Sequence, residues 1–529
     1  MVTMMLAKIL GLVRDRLLAH VFPPNTIDIF WAAFRLPDLI FQIVILGTLS
    51  VAFIPVFTEY FENERSSSPN KGRENAFALA RAILNVSLSI FILAAILIYI
   101  FAPIITTFIA PGFTAEKQAQ VVALTRIIIF GQVLLVLGSF FIGILQSFQR
   151  FIIPALAPVF YNFGIILGIV IFSKTWGITG AAFGVVIGAG LHAAVQLPLI
   201  WSLGFRFKFP LGFFHPGVKE ILQLMSVRTL GLAAEQINET VGLALASLAS
   251  VGSVTYLTFA QHLQVVPIGL FGATLAQAAL PVLSSEKARG RIDEFKITLL
   301  TTMHQILFLA LPATAILIVM RIPVVRLVFG ASQFDWKATV LTGATLAFLA
   351  IGLAAQAVSL LLVRGFYAMK DTKTPVIVSL IVVLVNIALS FYFILGLHLA
   401  VWSIGLSFSI SAILSGILLF WTLHFKVGKF NLKAVLIPLA KMLMATAIMG
   451  VALYVPIKLL DQVIFDTTRT VNLLILTGIS SIFALSVYIL LVWFLRVREL
   501  QTYSDLITRI AKFQPKIKSE EILPESHSV

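Results

Sequence analysis

The chain contains no cysteine among its 529 residues, so disulfides, thiolate metal sites and cysteine nucleophiles are all excluded. Charge is scarce: 12% of residues are Asp, Glu, Lys or Arg and 59% are hydrophobic, whereas a soluble domain carries about a quarter charged residues. Alternating strand patterns are missing too. Continuous runs such as VIVSLIVVLVNIALSFYFIL do not fit a membrane β-barrel, whose strands alternate apolar and polar residues. The first residues lack a basic flank, apolar core and small-residue cleavage site, so no removable signal peptide is expected. No D-D-x-x-D cluster of the kind that holds metal diphosphates occurs.

What remains is apolar length, with a mean hydropathy of +1.02. Apolar runs of about 20 residues recur throughout, the length that crosses a ~30 Å hydrocarbon layer as a helix. The pattern predicts an all-α polytopic membrane protein with fourteen spans, roughly 2–21, 27–57, 76–109, 118–148, 152–173, 178–203, 218–248, 253–284, 296–329, 337–366, 374–396, 399–424, 434–459 and 470–495. The first is the weakest by hydropathy, because Lys8, Arg14, Asp15, Arg16 and His20 crowd into it. Even-numbered connections hold 14 Lys and Arg and odd-numbered ones hold 3, so both termini are expected in the cytoplasm. The net charge of +15 is spread over those inner loops and fits anionic lipid headgroups better than nucleic acid.

The chain also repeats itself. QRFIIPALAP with ITGAAFG resembles KDTKTPVIVS with LAVWSIG, and both Pro154 to Pro375 and Gly184 to Gly405 are 221 apart. LGTLSVAFIPVF echoes FGATLAQAALPVL at an offset of about 225. These matches predict two six-helix, pseudo-symmetric lobes: an N-lobe at 1–203 and a C-lobe at 218–424. Helices thirteen and fourteen at 434–495 are additional, and a basic cytoplasmic tail follows at 496–529. Parallel repeats around a central site suit a transporter that works by alternating access. Pro37, Pro55, Pro267 and Pro281 are expected to bend helices beside that site.

Polar residues gather on particular helical faces. Lys8, Gly11, Arg14 and Asp15 fall within about 120° of one another. Asp28, Arg35 and Gln42 recur at seven-residue intervals, with Asp38 one turn beyond Arg35; Arg228, Glu235 and Glu239 lie within about 40°. His262 precedes Pro267. Charges inside a membrane cost several kcal/mol and normally face a bundle interior or water, so these stripes predict a hydrated cavity between the lobes. Arg35–Asp38 and Arg228–Glu235 locks within or between helices are the simpler structural reading, with Lys8 and Arg228 snorkelling to the inner surface. A cationic cavity suits phosphate or diphosphate, which arginine grips bidentately.

The stretches GLVRDRLLAHVF, DIFWAAFRLP, LGTLSVAFIPVFTEY, LQSFQRFIIPALAPVFYN, PIGLFGATLAQAALP and RGFYAMKDTKTPV resemble the MurJ/MviN lipid II flippases of the multidrug/oligosaccharidyl-lipid/polysaccharide exporter superfamily. The resemblance spans about residues 1–495. It implies a V-shaped membrane protein that moves undecaprenyl-pyrophosphate-linked peptidoglycan precursor from the inner to the outer leaflet of the bacterial cytoplasmic membrane. Helices thirteen and fourteen would form the groove for its lipid tail. Lys8, Arg14, Asp15 and Asp28 match family positions, and together with the charged faces the resemblance makes Arg14, Lys8, Arg35, Arg228 and His262 the candidate substrate-binding residues, with Asp15, Asp28, Asp38, Glu235 and Glu239 as gating groups or charge partners. The partners it implies are lipid II, anionic lipids and peptidoglycan-synthesis proteins.

Two departures stand out. After the second-helix proline the chain reads LPDLIFQIVILG, so Phe41, Gln42 and Leu46 replace an arginine pair and a glutamate frequent in the family. His262 stands near a position where many members have Arg. Some relatives are thought to couple transport to sodium or membrane potential, and Glu235 or Glu239 with Asn386 and Ser390 would supply oxygen ligands. The same residues read as interhelical hydrogen bonds. No metal, cofactor or catalytic residue is expected. Rival readings are an exporter of another lipid-linked oligosaccharide or of drugs, a nontransporting envelope scaffold, and an intramembrane enzyme whose only candidate acid–base pair is His262 with Glu239.

Overall fold

The computed structural model describes residues 2–46, 53–65, 69–207, 215–463, 469–501 and 503, and among them it is helical with no strand. The first half of the chain forms α1 (Val2–Val21), α2 (Pro24–Phe41), α3 (Ile54–Arg65), α4 (Pro69–Ile109), α5 (Ala115–Ser147), α6 (Ile152–Leu167), α7 (Ser173–Trp176), α8 (Ile178–Ala194) and α9 (Leu197–Ser202). The second half forms α10 (Pro216–Ala249), α11 (Ser253–Pro267), α12 (Thr274–Ala288), α13 (Ile292–Val319), α14 (Arg321–Phe329), α15 (Trp336–Ile351), α16 (Leu353–Ala368), α17 (Lys373–Phe391) and α18 (Trp402–Lys426). Then α19 (Leu432–Val463) and α20 (Thr470–Phe494) pair with each other, and α19 packs on α13.

Ten of the described helices are long and apolar enough to cross a membrane, and α15 with α16, bent by 44°, makes an eleventh. The three expected spans that do not meet this standard begin at residues 2, 27 and 218. The reason is physical. Their helices α1, α2 and α10 carry the charged stripes, and α2 continues as a π-helical turn, Gln42–Leu46, rather than as one straight run to residue 57. A membrane-facing helix cannot bear such charge, whereas one whose polar face meets a partner can.

The expected prolines sit in different settings. A π-helical turn follows Pro37 at Gln42–Leu46, and another begins directly after Pro267 at Ile268–Ala273. Pro281 lies inside α12, while Pro55 sits in the first turn of α3, where its missing N–H costs little. The turns at Gln42 and Ile268 are 226 residues apart, and two more, beginning at Gly168 and Tyr392, are 224 apart.

Glycines set the packing of the first half. A Cβ at Gly164 would strike the backbone of Gly188, one at Gly168 the backbone of Gly184, and one at Gly180 the backbone of Phe172 and Ser173. Spaced four apart along α8, Gly180, Gly184 and Gly188 let α6 and α8 approach to backbone contact, a common way to join helices where lipid offers no hydrophobic drive. The second half has close glycine contacts too, Gly405 against the Thr345 carbonyl and Gly352 against Ser409, and adds hydroxyls and amides: Ser390 and Ser407 share a hydrogen bond of 2.6 Å between α17 and α18, and Asn386 Nδ2 donates to Asn238 Oδ1 at 2.7 Å.

The two halves meet along a seam. At the end carrying Pro23, Arg16 Nη1 donates to the carbonyls of Leu327 and Val328, Ser332 bonds His20, and Gly112 N donates to Ser247 Oγ. At the opposite end the start of α10 crosses to the first half. There Val218 and Ile221 join a buried cluster with Phe77 and Leu79, and His215 caps α10 while touching Tyr60. The described start of the C-terminal tail turns at Arg496 (φ 53) and folds back, with Glu499 paired to His304 and Tyr503 stacked on Phe308.

Candidate functional site

A cavity of about 340 Å³ opens in the seam between α2 on one side and α10, α11, α16 and α18 on the other. Arg35, Asp38, Glu239 and His262 bring charge or titratable groups to it, and Trp31, Phe34, Leu243 and Phe408 bring apolar surface. A second cavity of about 440 Å³ lies within the second half and shares Glu239, Gln356 and Phe408 with the first. Glu235, Arg364 and Asn386 line this second space.

Asp15 organises the wall of the seam. Its side chain is 1% exposed, and its two oxygens are divided between the halves. Arg14 Nε and Nη2 both donate to Oδ1, at 2.9 and 2.8 Å, while His262 Nδ1 lies 2.7 Å from Oδ2. Arg14 Nη1 also donates to Asn162 Oδ1 at 3.2 Å, and Asn162 is itself anchored to the carbonyls of Ala7 and Pro158. Trp31 closes the group: the Arg14 guanidinium lies 5.5 Å from its ring centre, and the His262 ring meets it edge-on at 5.2 Å. The Trp31 Nε1–H is buried without a hydrogen-bond partner among the described residues.

Farther along α2, Arg35 crosses the seam. Its Nη1 donates to Glu239 Oε2 at 2.8 Å, Nε to Thr240 Oγ1 at 2.9 Å, and Nη2 to the carbonyl and side-chain oxygens of Gln236. Arg35 thus reaches α10 with its whole guanidinium, in place of the Arg35–Asp38 lock read from spacing; Asp38 lines the same cavity. Glu239 therefore serves Arg35 and His262 serves Asp15, so the His262–Glu239 acid–base pair of the enzyme reading does not form.

Asp28 has a different office from a charge partner: among the described residues its carboxylate forms no ion pair. It accepts from Gly252 N at Oδ2, and from Thr255 N and Thr255 Oγ1 at Oδ1, all at 2.8 Å. A carboxylate of one half thereby caps the first turn of α11 in the other, where the helix dipole favours negative charge. Gly252 adopts φ 88 to present its N–H, a backbone state in which a side chain would be strained. Lys8 is exposed and extends to Gly269, where an added Cβ would meet its ammonium. Arg228 lies on α10 with its side chain outside the described residues. Glu235 lines the second cavity rather than the seam cavity.

Asn386 and Ser390, the oxygen ligands weighed for a cation, make the interhelical hydrogen bonds already described, though Asn386 Oδ1 is buried without a partner among the described residues. Those residues hold no group of three or more His, Asp or Glu able to grip a metal ion. Sequence reasoning missed Trp31, Asn162 and Gln236. Trp31 stands three residues after Asp28 and four before Arg35, on the face that stripe defines, and Asn162 is the lone amide of α6. Both signals were present. Gln236 gave none, since its role depends on where Arg35 arrives. The arrangement offers an anion the Arg14 guanidinium and the His262 imidazole from opposite halves, beside an indole N–H without a hydrogen-bond partner among the described residues.

A family model described as Lipid II flippase MurJ matches residues 19–493. A probable lipid II flippase MurJ from Rhizobium meliloti (strain 1021) is 30% identical over 461 residues, covering 85% of this chain and 84% of its own length. The lipid II flippase MurJ of Burkholderia cenocepacia is 28% identical over 428 residues, covering 79% and 81%. Among solved structures, the lipid II flippase MurJ in an inward closed conformation superposes with a TM-score of 0.77 at 24% identity, over 96% of this chain and 99% of that one. An inward-facing multidrug resistance transporter of the MATE family gives 0.66 at 17% identity, over 80% and 94%; both likenesses establish the fold. With a family match over nearly the whole chain, joined to a helical fold built on two halves and a polar seam, this protein belongs to the lipid II flippase MurJ family.

Proposed function

We propose that this protein carries lipid II across the bacterial cytoplasmic membrane, from the inner to the outer leaflet, without covalent chemistry. The observation that carries the reading is Arg14 and His262 gripping one buried carboxylate from opposite halves. A diphosphate entering beside Asp15 offers the Arg14 guanidinium and the Nε2 edge of His262 the same kind of oxygen from the two halves. Since a ligand shifts two states only by its differential affinity for them, an anion held by both halves favours the state in which they are joined. The polyprenyl tail stays in lipid, with α19 and α20 as its groove.

In this reading all fourteen segments span, with α1, α2 and α10 as the three whose charge faces the seam, and two lobes at 1–203 and 218–424 rock about it in a V. The end rich in lysine and arginine faces the cytoplasm and anionic headgroups, and both chain termini lie there. The Pro23 end, tied by Asp28, Arg16 and Ser332, is then the outer gate in its closed state. The experiment is outer-leaflet accessibility of lipid II in cells depleted of their own flippase. The wild-type chain should restore it, and Arg14→Ala, at equal abundance in the membrane, should lower it at least about tenfold, the weight of a charge-assisted hydrogen-bond pair. Full activity of Arg14→Ala removes the cluster from the path. A rescue of growth with no change in lipid II exposure favours the scaffold.

A further inference from the structure

We propose that anion recognition at the seam is linked to a proton on His262, so that binding of a diphosphate takes up a proton at this residue. The inference rests on the flippase reading for its cargo and on geometry for its mechanism. His262 Nδ1 faces Asp15 Oδ2 at 2.7 Å. With a carboxylate there, Nδ1 keeps its hydrogen in either protonation state, which leaves Nε2 as the variable atom. Nε2 makes no hydrogen bond among the described residues, and the side chain is 31% exposed where Asp15 is 1% exposed. A neutral imidazole turns a lone pair toward an incoming phosphate oxygen. A protonated one turns an N–H.

The charge balance points the same way. The ionisable groups around His262 are Arg14, Asp15 and Lys8 on α1, Arg35 and Asp38 on α2, and Glu239 on α10, with the phenol of Tyr161 on α6 beside Arg14. α16 and α18 bring Gln356 and Phe408 to the cavity, and α15 brings no residue to it. Among the described residues three cations thus face three carboxylates, so with all six charged and a neutral histidine the cluster has no formal charge to offer a dianionic diphosphate. Protonation supplies the excess positive charge, in a place where desolvation makes an unbalanced anion costly. An arginine in place of His262 would carry that charge permanently; a histidine makes it conditional on pH.

The test uses the purified full-length chain and a uridine diphosphate sugar, a soluble diphosphate diester whose own charge is constant between about pH 5.5 and 8. Calorimetry in two buffers of different ionisation heat reads both affinity and proton uptake. For the wild type, affinity should fall as pH rises, approaching tenfold per pH unit above the imidazole's midpoint, with uptake of up to one proton. His262→Arg should bind at least as tightly at the acid end, with no slope and no uptake; His262→Gln, which keeps the fold without a cation, should bind weakly and without slope. A flat wild-type profile, a slope that survives in His262→Arg, or no binding at the acid end overturns the proposal. Lipid II flipping in vesicles separates the two readings. Flipping combined with pH-independent binding sinks this inference alone, whereas proton-linked binding by a chain that never flips lipid II sinks the flippase reading and leaves this one standing.

Discussion

Asp15 and Asp28 sit on neighbouring helices, are equally buried, and do unlike things because of what each finds across the seam. Asp15 meets an arginine and a histidine and becomes the shared anion of a cationic group. Asp28 meets the bare N–H groups at the start of α11 and becomes a cap. The residue type was legible in the sequence at both positions, and their burial followed from the cost of charge in a membrane. The division of labour was not, because it depends on Gly252 and Thr255 arriving from more than 200 residues away. Asp28→Ala should therefore destabilise the closed Pro23 end by about 2–3 kcal/mol, the usual scale for hydrogen bonds to a charged group, seen as a lower melting temperature in detergent. Asp28→Asn should fall between wild type and Ala, because its carbonyl oxygen still serves Thr255 while its amide nitrogen opposes the Gly252 N–H. Equal melting of all three would show that the cap does not hold this end.

At the scale of elements, two helix pairs of the chain pack by different means. Glycines bring α6 and α8 into backbone contact, whereas α17 and α18 are held by Ser390 and Ser407, and Asn386 reaches α10. The glycines of ITGAAFGVVIG stood out in the sequence only through the internal repeat; that their spacing seats α8 on α6 needed the structure. A Cβ at Gly188 would lie on the Tyr161 carbonyl oxygen, while one at Gly190 would meet only Leu134 at 3.9 Å. Gly188→Ala should cost about 1–3 kcal/mol by overpacking and Gly190→Ala much less, read from melting temperatures; the reverse order would refute the contact. A second element rests on a loop carboxylate. Asp371 accepts from Thr374 N and Oγ1 at the start of α17 and pairs with Lys426 at the end of α18. Its burial favours the neutral acid, but the Lys426 and Thr374 hydrogen bonds outweigh this and hold the carboxyl down at about 2. A folded pKa below the unfolded value of about 4 means stability that is present above pH ~4 and lost as pH falls toward 2. The melting-temperature gap between wild type and Asp371→Asn should close over that interval, and a gap constant with pH would mean that the charge contributes nothing.

For the whole molecule, the helical fold was readable because a membrane simplifies the rules: long apolar runs must be helices. The site was half readable. Lys8, Arg14 and Arg35 declared themselves as charges where charge is costly, but the pairing of Asp15 with His262 spans 247 positions, and no spacing within one helix encodes it. Under the proposed alternating access this long-range pairing becomes a mechanical claim, since with the Pro23 end as outer gate the halves would separate there for cargo to leave. His20 and Ser332 meet there, with Ser332 Oγ 3.2 Å from the His20 carbonyl and 3.3 Å from its Nδ1, and both are exposed. Because the chain has no cysteine, replacing this pair with His20→Cys and Ser332→Cys adds the only two thiols, at positions that already touch across the seam. Oxidation should join the halves and stop lipid II exposure at the outer leaflet, and reduction should restore it, with either single variant active under both conditions. If the oxidised protein, shown to be cross-linked by its mobility after cleavage of the loop between the halves, still exposes lipid II at the normal rate, then the seam does not open at this end and cargo must leave by another path.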